Sequence, residues 1–229
     1  MKSFAIKDCA LIVRTGDQPP AVNLRELREI ISRCSPEAIY HHCFETLLRP
    51  SFDHPEYRND FAVWARHKLH DHTLAERLGL VNVYDFSNLE ELRSEILDII
   101  DERLHEVYTV PWAARDFEFR LQRAVTVVFN THLKIKNLDD LPNALKRMTT
   151  SSIYYHFLEA RRREPKNVDD FTFWLSEEKD KDKRINQVID VIQKIDFNFL
   201  NLRELQNQLI QSTSPIIKTS TSKKASGKL

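Results

Sequence analysis

The sequence predicts an α+β fold, predominantly α-helical, made of two tandem pseudo-symmetric copies that each contain a short β element and several helices. The first observation is an internal repeat: residues 23–45 and 137–159 align without a gap, and eight of their 23 positions are identical. The second is that the chain has only three glycines, which disfavours a mostly β fold with many tight turns. A repeat period this long indicates a duplicated domain and not a solenoid of short units.

Each predicted copy opens with a β-like segment. Residues 4–14 and 117–129 are rich in Val, Ile and Phe and contain short apolar runs, as strands do. Polar or Pro-containing turns then lead into helices. The predicted boundaries are 1–108 for the first repeat, 109–116 for a linker, 117–211 for the second repeat and 212–229 for a disordered basic tail.

Helix starts are marked by the motif Asn-Leu-x-acid-Leu. The asparagine accepts hydrogen bonds from first-turn N–H groups, and the acid favours the helix N-terminus. Further starts are predicted at Ser35, before Pro36, and at Thr149 in the equivalent place, and a third helix is predicted to begin near Asn59 and Asp169. The motif occurs at Asn23, Asn88, Asn137 and Asn201.

Composition and charge exclude several classes of function. Basic and acidic residues are equal at 34 each, but four lysines lie in 212–229 with no acid, so the folded body is net negative. We therefore expect no nucleic-acid partner for that body. No apolar run approaches the ~20 residues of a membrane span. Three cysteines without CxxC spacing indicate buried thiols in a reducing cytoplasm.

The three glycines also limit the possible enzyme classes. Phosphate-binding loops need clustered glycines, because backbone N–H groups must approach the ligand closely. Gly16, Gly79 and Gly227 are far apart, so neither a P-loop nor a GxGxxG turn can form. We expect no cofactor.

The repeat conserves one set of residues that could carry chemistry. Each copy has a His on a helix with apolar neighbours, an acid three positions later, and an Asp at the start of the next helix. Imidazole and carboxylate groups suit acid–base chemistry or Zn, Fe or Mn. A structural role predicts instead that each imidazole is buried and hydrogen-bonded within its own copy, and we favour this alternative, with no metal expected. The candidates are His42, Glu45, Asp60, His156, Glu159 and Asp170.

A second set of residues could bind a sugar or a phosphate. Trp64 and Trp174 follow a Phe at helical spacing, which is more typical of a core than of a stacking platform. Three consecutive arginines, Arg161, Arg162 and Arg163, could bind phosphate or carboxylate in a bidentate manner. The first copy has no equivalent of these arginines, so a solvated helix end is the favoured interpretation.

These segments resemble a known family. KDCALIVRTG, SPEAIYHH, SSIYYHFLEARRR and DDFTFWL are similar, in combination, to a bacterial domain family of unknown function, number 5752. The resemblance covers roughly residues 4–210 and implies two tandem copies of the domain. It implies no activity.

The function that we expect is that of a non-catalytic cytoplasmic binding or assembly module, with a protein partner or a small ligand. The alternative is a metal-dependent or acid–base enzyme that uses the repeated His, Glu and Asp residues, so whether the protein is an enzyme stays open. A weaker alternative is a module that binds a sugar or phosphate through Trp174 and the three arginines.

Overall fold

The fold is known from a computed structural model, and the structure describes residues 2–16, 18–48, 57–163, 167–178, 182–198 and 200–225. Over these residues the chain is mainly helical, and two β-strands pair in a small sheet. An α+β fold in which helices predominate is therefore confirmed.

The two strands are long and antiparallel. Strand β1 is Phe4–Thr15 and strand β2 is Gln122–Ile135. Thr131 donates to the carbonyl oxygen of Ile6, whereas the N–H of Gly16 donates to Leu121, so the strands run in opposite directions. Strand β2 begins and ends later than the sequence predicted, because the chain before it pairs elsewhere: Phe119 forms an antiparallel bridge with Ala21.

The chain divides into two compact units whose bounds differ from those of the predicted repeats. Unit 1 contains Met1–Ala10 and Thr126–Leu229, and unit 2 contains Leu11–Val125. Each strand therefore contributes one part to each unit. The predicted linker, 109–116, lies wholly within unit 2, where Ala113 donates to the carbonyl oxygen of Val22.

Unit 2 is a helical body around an apolar core. Its first helix begins where the motif predicts, because Oδ1 of Asn23 accepts a hydrogen bond from the backbone N–H of Glu26. Helices α1 and α5 pack together, as do α3 and α4, and Phe119 and Leu121 complete the core. The helices are α1 (Leu24–Arg33), α2 (Pro36–Cys43), α3 (Asp60–His67), α4 (His72–Gly79) and α5 (Leu89–Glu106), with a 3₁₀ turn at Glu45–Leu48.

Unit 1 contains the remaining helices. The predicted second helix of this half is divided here: it begins with Thr149 as its cap and passes through a π-helix at Tyr154–Glu159. Single π turns inside helices are frequent at functional sites. The helices are α6 (Leu141–Arg147), α7 (Thr150–Ile153), α8 (Ala160–Arg163), α9 (Asp170–Ser176), α10 (Lys183–Gln193) and α11 (Leu202–Ala225), with a 3₁₀ turn at Leu138–Asp140.

The predicted disordered tail is helical as far as the structure describes it. Helix α11 continues to Ala225, and Thr213 and Ile217 are buried at 0% and 4% exposure. Disorder was predicted because the tail has few apolar residues. The burial of one isoleucine, Ile217, is nevertheless enough to hold this helical turn against the rest of unit 1. Residues 226–229 lie outside the described residues. Neither α11 nor another described helix is both long enough and apolar enough to cross a membrane.

Candidate functional site

The first candidate site surrounds His156, in the π-helix of unit 1. Nδ1 lies 2.6 Å from Oδ2 of Asp170, and Nε2 accepts a hydrogen bond of 2.8 Å from the backbone N–H of Lys7. Because a backbone amide can only donate, Nε2 carries no proton, and Nδ1–H donates to the carboxylate. His156 is 2% exposed, so neither nitrogen is open to solvent. These three groups form the His156 site.

The start of β1 packs against the His156 site. The ring centroid of Phe4 is 4.9 Å from that of His156 and 5.4 Å from those of Phe171 and Trp174. The indole N–H of Trp174 donates to the carbonyl oxygen of Lys2 at 2.7 Å. The strand is therefore held by an aromatic cluster and by two hydrogen bonds to side chains of unit 1.

The second candidate site surrounds His42 in α2 of unit 2. Nδ1 lies 2.6 Å from Oδ2 of Asp60, and Nε2 accepts a 2.8 Å hydrogen bond from the backbone N–H of Gln122. The same reasoning places the proton on Nδ1. These three groups form the His42 site, and His42 is also 2% exposed.

The chain before β2 packs against the His42 site. The ring of Phe119 lies 5.0 Å from that of His42, 5.2 Å from Phe61 and 5.7 Å from Trp64. The indole N–H of Trp64 donates to the carbonyl oxygen of Phe117 at 2.7 Å. Trp64 and Trp174, for which a core role was the favoured interpretation, are each 5% exposed, and their indole N–H groups donate to backbone carbonyl oxygens.

Both sites join parts of the chain that are distant in sequence. Lys7 precedes its partner His156 by 149 positions, and Gln122 follows its partner His42 by 80. The expectation that each imidazole bonds within its own predicted repeat therefore holds for Nδ1, whose aspartate lies in the same repeat, and is wrong for Nε2. In each unit the strand residue that bonds to the histidine comes from the opposite half of the sequence to most of the helices.

The glutamates predicted beside the histidines are placed differently. Oε2 of Glu45 is 2.8 Å from Nδ1 of His41, one position before the predicted partner, and this pair is almost fully buried. Nε2 of His41 has no hydrogen-bond partner within the described chain. Glu159 is half-buried and takes no part in the two hydrogen bonds of His156 described above. Neither site therefore unites the predicted His, Glu and Asp.

The three arginines contact their own chain. The guanidinium of Arg161 lies over the rings of Phe157 and Phe197, at 4.6 and 4.7 Å from the centroids. Arg163 lies 4.0 Å above the ring of Tyr155 and donates to its carbonyl oxygen at 2.9 Å. Arg163 is also 3.1 Å from Oδ2 of Asp170 in the His156 site. Arg162 is exposed.

A buried carboxyl group lies next to the His156 site. Asp169 caps α9 by accepting hydrogen bonds from the N–H and the hydroxyl of Thr172, both at 2.8 Å. Burial raises the pKa of Asp169 despite these bonds and despite Arg161 at 3.5 Å. Asn59 caps α3 in unit 2 in the same way, through the N–H of Ala62.

Among the described residues, potential metal ligands do not cluster, and the cysteine thiols are buried. No group of three His, Cys, Asp or Glu side chains there is arranged to hold a metal ion. Burial raises the pKa values of the Cys43 and Cys34 thiols, so the reactive thiolate is disfavoured at neutral pH.

The sequence profile of a family matches nearly the whole chain. It is described as "Family of unknown function (DUF5752)", and the match covers residues 1–214. The chain belongs to this family. Because one match spans both halves, the halves are not two copies of the DUF5752 domain, as the resemblance suggested, but parts of one. Bacterial origin stays a prediction.

One solved structure is similar over most of both chains. It is "The structure of OrfY from Thermoproteus tenax", with 28% sequence identity and a TM-score of 0.74. The similarity covers 94% of this chain and 95% of that one. No curated protein matches this DUF5752 chain at a significant level.

The sequence did not predict an exposed apolar segment in β2 of this DUF5752 protein. In unit 1, the consecutive β2 residues Val127, Val128 and Phe129 are 43%, 41% and 48% exposed. Consecutive strand residues point to opposite faces, so both faces of β2 are open here. The uncharged run at 124–131 was the signal in the sequence, but it is also typical of a buried strand.

Proposed function

We propose that this protein is a non-catalytic binding or assembly module of the cytoplasm. The observation that carries the proposal is the exposed apolar segment Val127–Phe129, which lies on a sheet formed by two strands of the described residues. Large exposed apolar side chains in a cluster are typical of protein-binding surfaces. The cytoplasmic location is supported by three buried thiols that form no disulfide.

The contacts of the two histidines weigh against the enzyme alternative. A general acid or base must reach a substrate proton, and a metal ligand needs a free nitrogen lone pair. At His42 and His156 both nitrogens already bond to an aspartate and a backbone amide. We propose that both histidines act structurally, by holding the strands to the helices.

We also propose that the single DUF5752 domain arose by internal duplication. Matching contacts outside the sites support this. In unit 2 the buried Arg93 donates to two carbonyl oxygens at the C-terminal end of α1, at 2.7 and 2.8 Å. In unit 1 the buried Gln206 donates to two carbonyl oxygens at the end of α6, both at 2.8 Å.

A site-specific photo-crosslinking experiment tests the binding function. A photoreactive amino acid replaces Val128 in one variant and Leu80, which is 81% exposed in unit 2, in the control. After irradiation of living cells, we expect a discrete protein adduct at position 128 and none at position 80. Equal or absent labelling at the two positions would contradict the proposal.

Elemental analysis of protein purified without a His-tag tests the rival enzyme. The metal-dependent alternative would be favoured if the wild type contained stoichiometric zinc, iron or manganese and the His42→Ala and His156→Ala variants did not. We expect no such stoichiometric metal.

A further inference from the structure

The outer edge of β2 in unit 1 borders no further strand within the described residues. The sheet that they form has the order β1-β2, so the edge of β2 that faces away from β1 is an edge of the sheet. Exposed strand edges are templates for pairing with another chain. Val127, Val128 and Phe129 are exposed on both faces at this edge, so an added strand could bury side chains above and below the sheet.

The ends of this edge differ from its middle in charge and backbone conformation. His132 has a left-handed backbone, φ 62°, and Lys134 follows it, and both features discourage strand pairing. At the other end, the charge of Arg123 also discourages strand pairing. Between them, residues 124–131 contain no charge, no proline and no glycine. This central run lacks the devices that proteins use to prevent edge pairing.

The central run is complementary to itself. In an antiparallel pairing centred on Val128, Val127 of one copy lies opposite Phe129 of the other, on one face of the sheet. On the other face Val128 meets Val128, and Thr126 lies opposite Asn130. Apolar side chains then face apolar ones and polar side chains face polar ones.

Charge does not oppose the association of two copies. In the same pairing Arg123 lies opposite Leu133, and Lys134 lies opposite Gln122, so no like charges are paired. The chain as a whole has a formal net charge of zero, so long-range repulsion between copies is small.

We infer that two copies of this chain associate through β2, with residues 124–131 of each copy antiparallel to those of the other. Such a contact is isologous, because the same surface is used twice around a two-fold axis at Val128. The inference rests on the proposed binding or assembly function and identifies the partner as a second copy.

Sedimentation equilibrium of the full chain tests this inference. From micromolar to millimolar protein, we expect the wild type to shift from monomer to dimer mass and Val128→Lys to remain monomeric. Leu80→Lys, the same kind of change at a more exposed apolar residue in unit 2, should dimerise like the wild type. Circular dichroism and thermal melting confirm that both variants are folded. A wild type that stays monomeric overturns the inference, as does a dimer that survives Val128→Lys.

A disulfide variant tests the register. Directly opposed residues in an antiparallel pair have Cβ atoms about 4.5–5.5 Å apart, close to disulfide geometry, and the native thiols are buried. We expect oxidised Val128→Cys to form a covalent dimer and Leu80→Cys to stay monomeric. Equal yields for the two overturn the inference. If the wild type is monomeric but position 128 crosslinks to another protein in cells, only this inference fails and the binding function stands.

Discussion

The His156 site and the His42 site have the same geometry in different surroundings. Each has a 2.6 Å contact from Nδ1 to an aspartate and a 2.8 Å hydrogen bond from a backbone amide to Nε2. The strand residues next to the two amides differ in charge. Next to Lys7 lies Asp8, whereas next to Gln122 lies Arg123.

Each of these two charges is complementary to groups of its own unit. The carboxylate of Asp8 accepts hydrogen bonds from the hydroxyls of Thr149 and Ser151, at 2.8 and 2.7 Å, at the N-terminus of α7. Arg123 lies near Glu37, whose pKa is lowered first by its own backbone N–H, then by Ser35 and by the charge of Arg123. If the strands were interchanged, arginine would meet a helix N-terminus and aspartate would meet glutamate. The difference therefore favours one pairing of strands and helices.

The largest expected effect on stability comes from removing the aromatic side chain that anchors a strand segment in one unit at a time. Phe119→Ala should lower the free energy of unfolding of unit 2 by about 3–5 kcal/mol, because Phe119 is 6% exposed in its aromatic cluster. Phe4→Ala should act on unit 1, by somewhat less, because Phe4 is only partly buried. Amide hydrogen exchange checks the location of each effect. Loss of protection in the helices of the same predicted repeat would contradict this strand exchange, in which the strand of each predicted repeat bonds to the histidine of the other repeat.

Replacing the histidines compares the two sites directly. His156→Ala and His42→Ala should each lower stability by about 1–3 kcal/mol, because each removes a hydrogen bond to a half-buried aspartate and leaves a strand amide without its acceptor. His67→Ala, at an exposed position of α3, is the matched control and should change stability little. Urea unfolding measures all three. A histidine variant as stable as this control would show that its site does not hold the strand.

Removal of the end of α11 tests whether unit 1 can be destabilised without an effect on unit 2. Truncation after Gln211 removes the buried side chains of Thr213 and Ile217 and should lower stability by about 1–3 kcal/mol. Hydrogen exchange should increase in unit 1 and not in unit 2, since α11 packs on α6, α7 and α10. An unchanged melting temperature would contradict the docking of this helix end.

The smallest effect concerns the two caps, Asp169 and Asn59. Burial raises the pKa of Asp169 in the folded protein, so the folded state holds the proton more tightly than the unfolded state. The Asp169 contribution to stability therefore decreases as pH rises from its unfolded pKa of about 3.9 through its folded pKa. Asp169→Asn removes this dependence and keeps the cap, as Asn59 does in unit 2.

Urea unfolding from pH 4 to pH 8 checks this prediction. The difference in stability between Asp169→Asn and the wild type should move in favour of the variant as pH rises, by no more than about 1 kcal/mol. The opposite trend would show that Arg161 outweighs the burial.

Local features of the fold were predictable from the sequence, whereas the strand exchange was not. The caps at Asn23 and Asn88 and the repeated His and Asp pairs follow from short patterns. A repeat shows which segments correspond, but not which strand packs on which helices, since Phe4 and Phe119 could fill either cluster. The same limit explains Glu45, where partners three and four positions away lie on the same helix face and packing selects His41.

Hydrogen-bond scalar couplings between ¹⁵N nuclei test the strand exchange most directly. The structure predicts a coupling between the Lys7 amide nitrogen and Nε2 of His156, and another between the Gln122 amide nitrogen and Nε2 of His42. Both rings should carry their proton on Nδ1. Couplings from Lys7 to His42 and from Gln122 to His156, or protonated Nε2 atoms in both rings, would contradict the exchange.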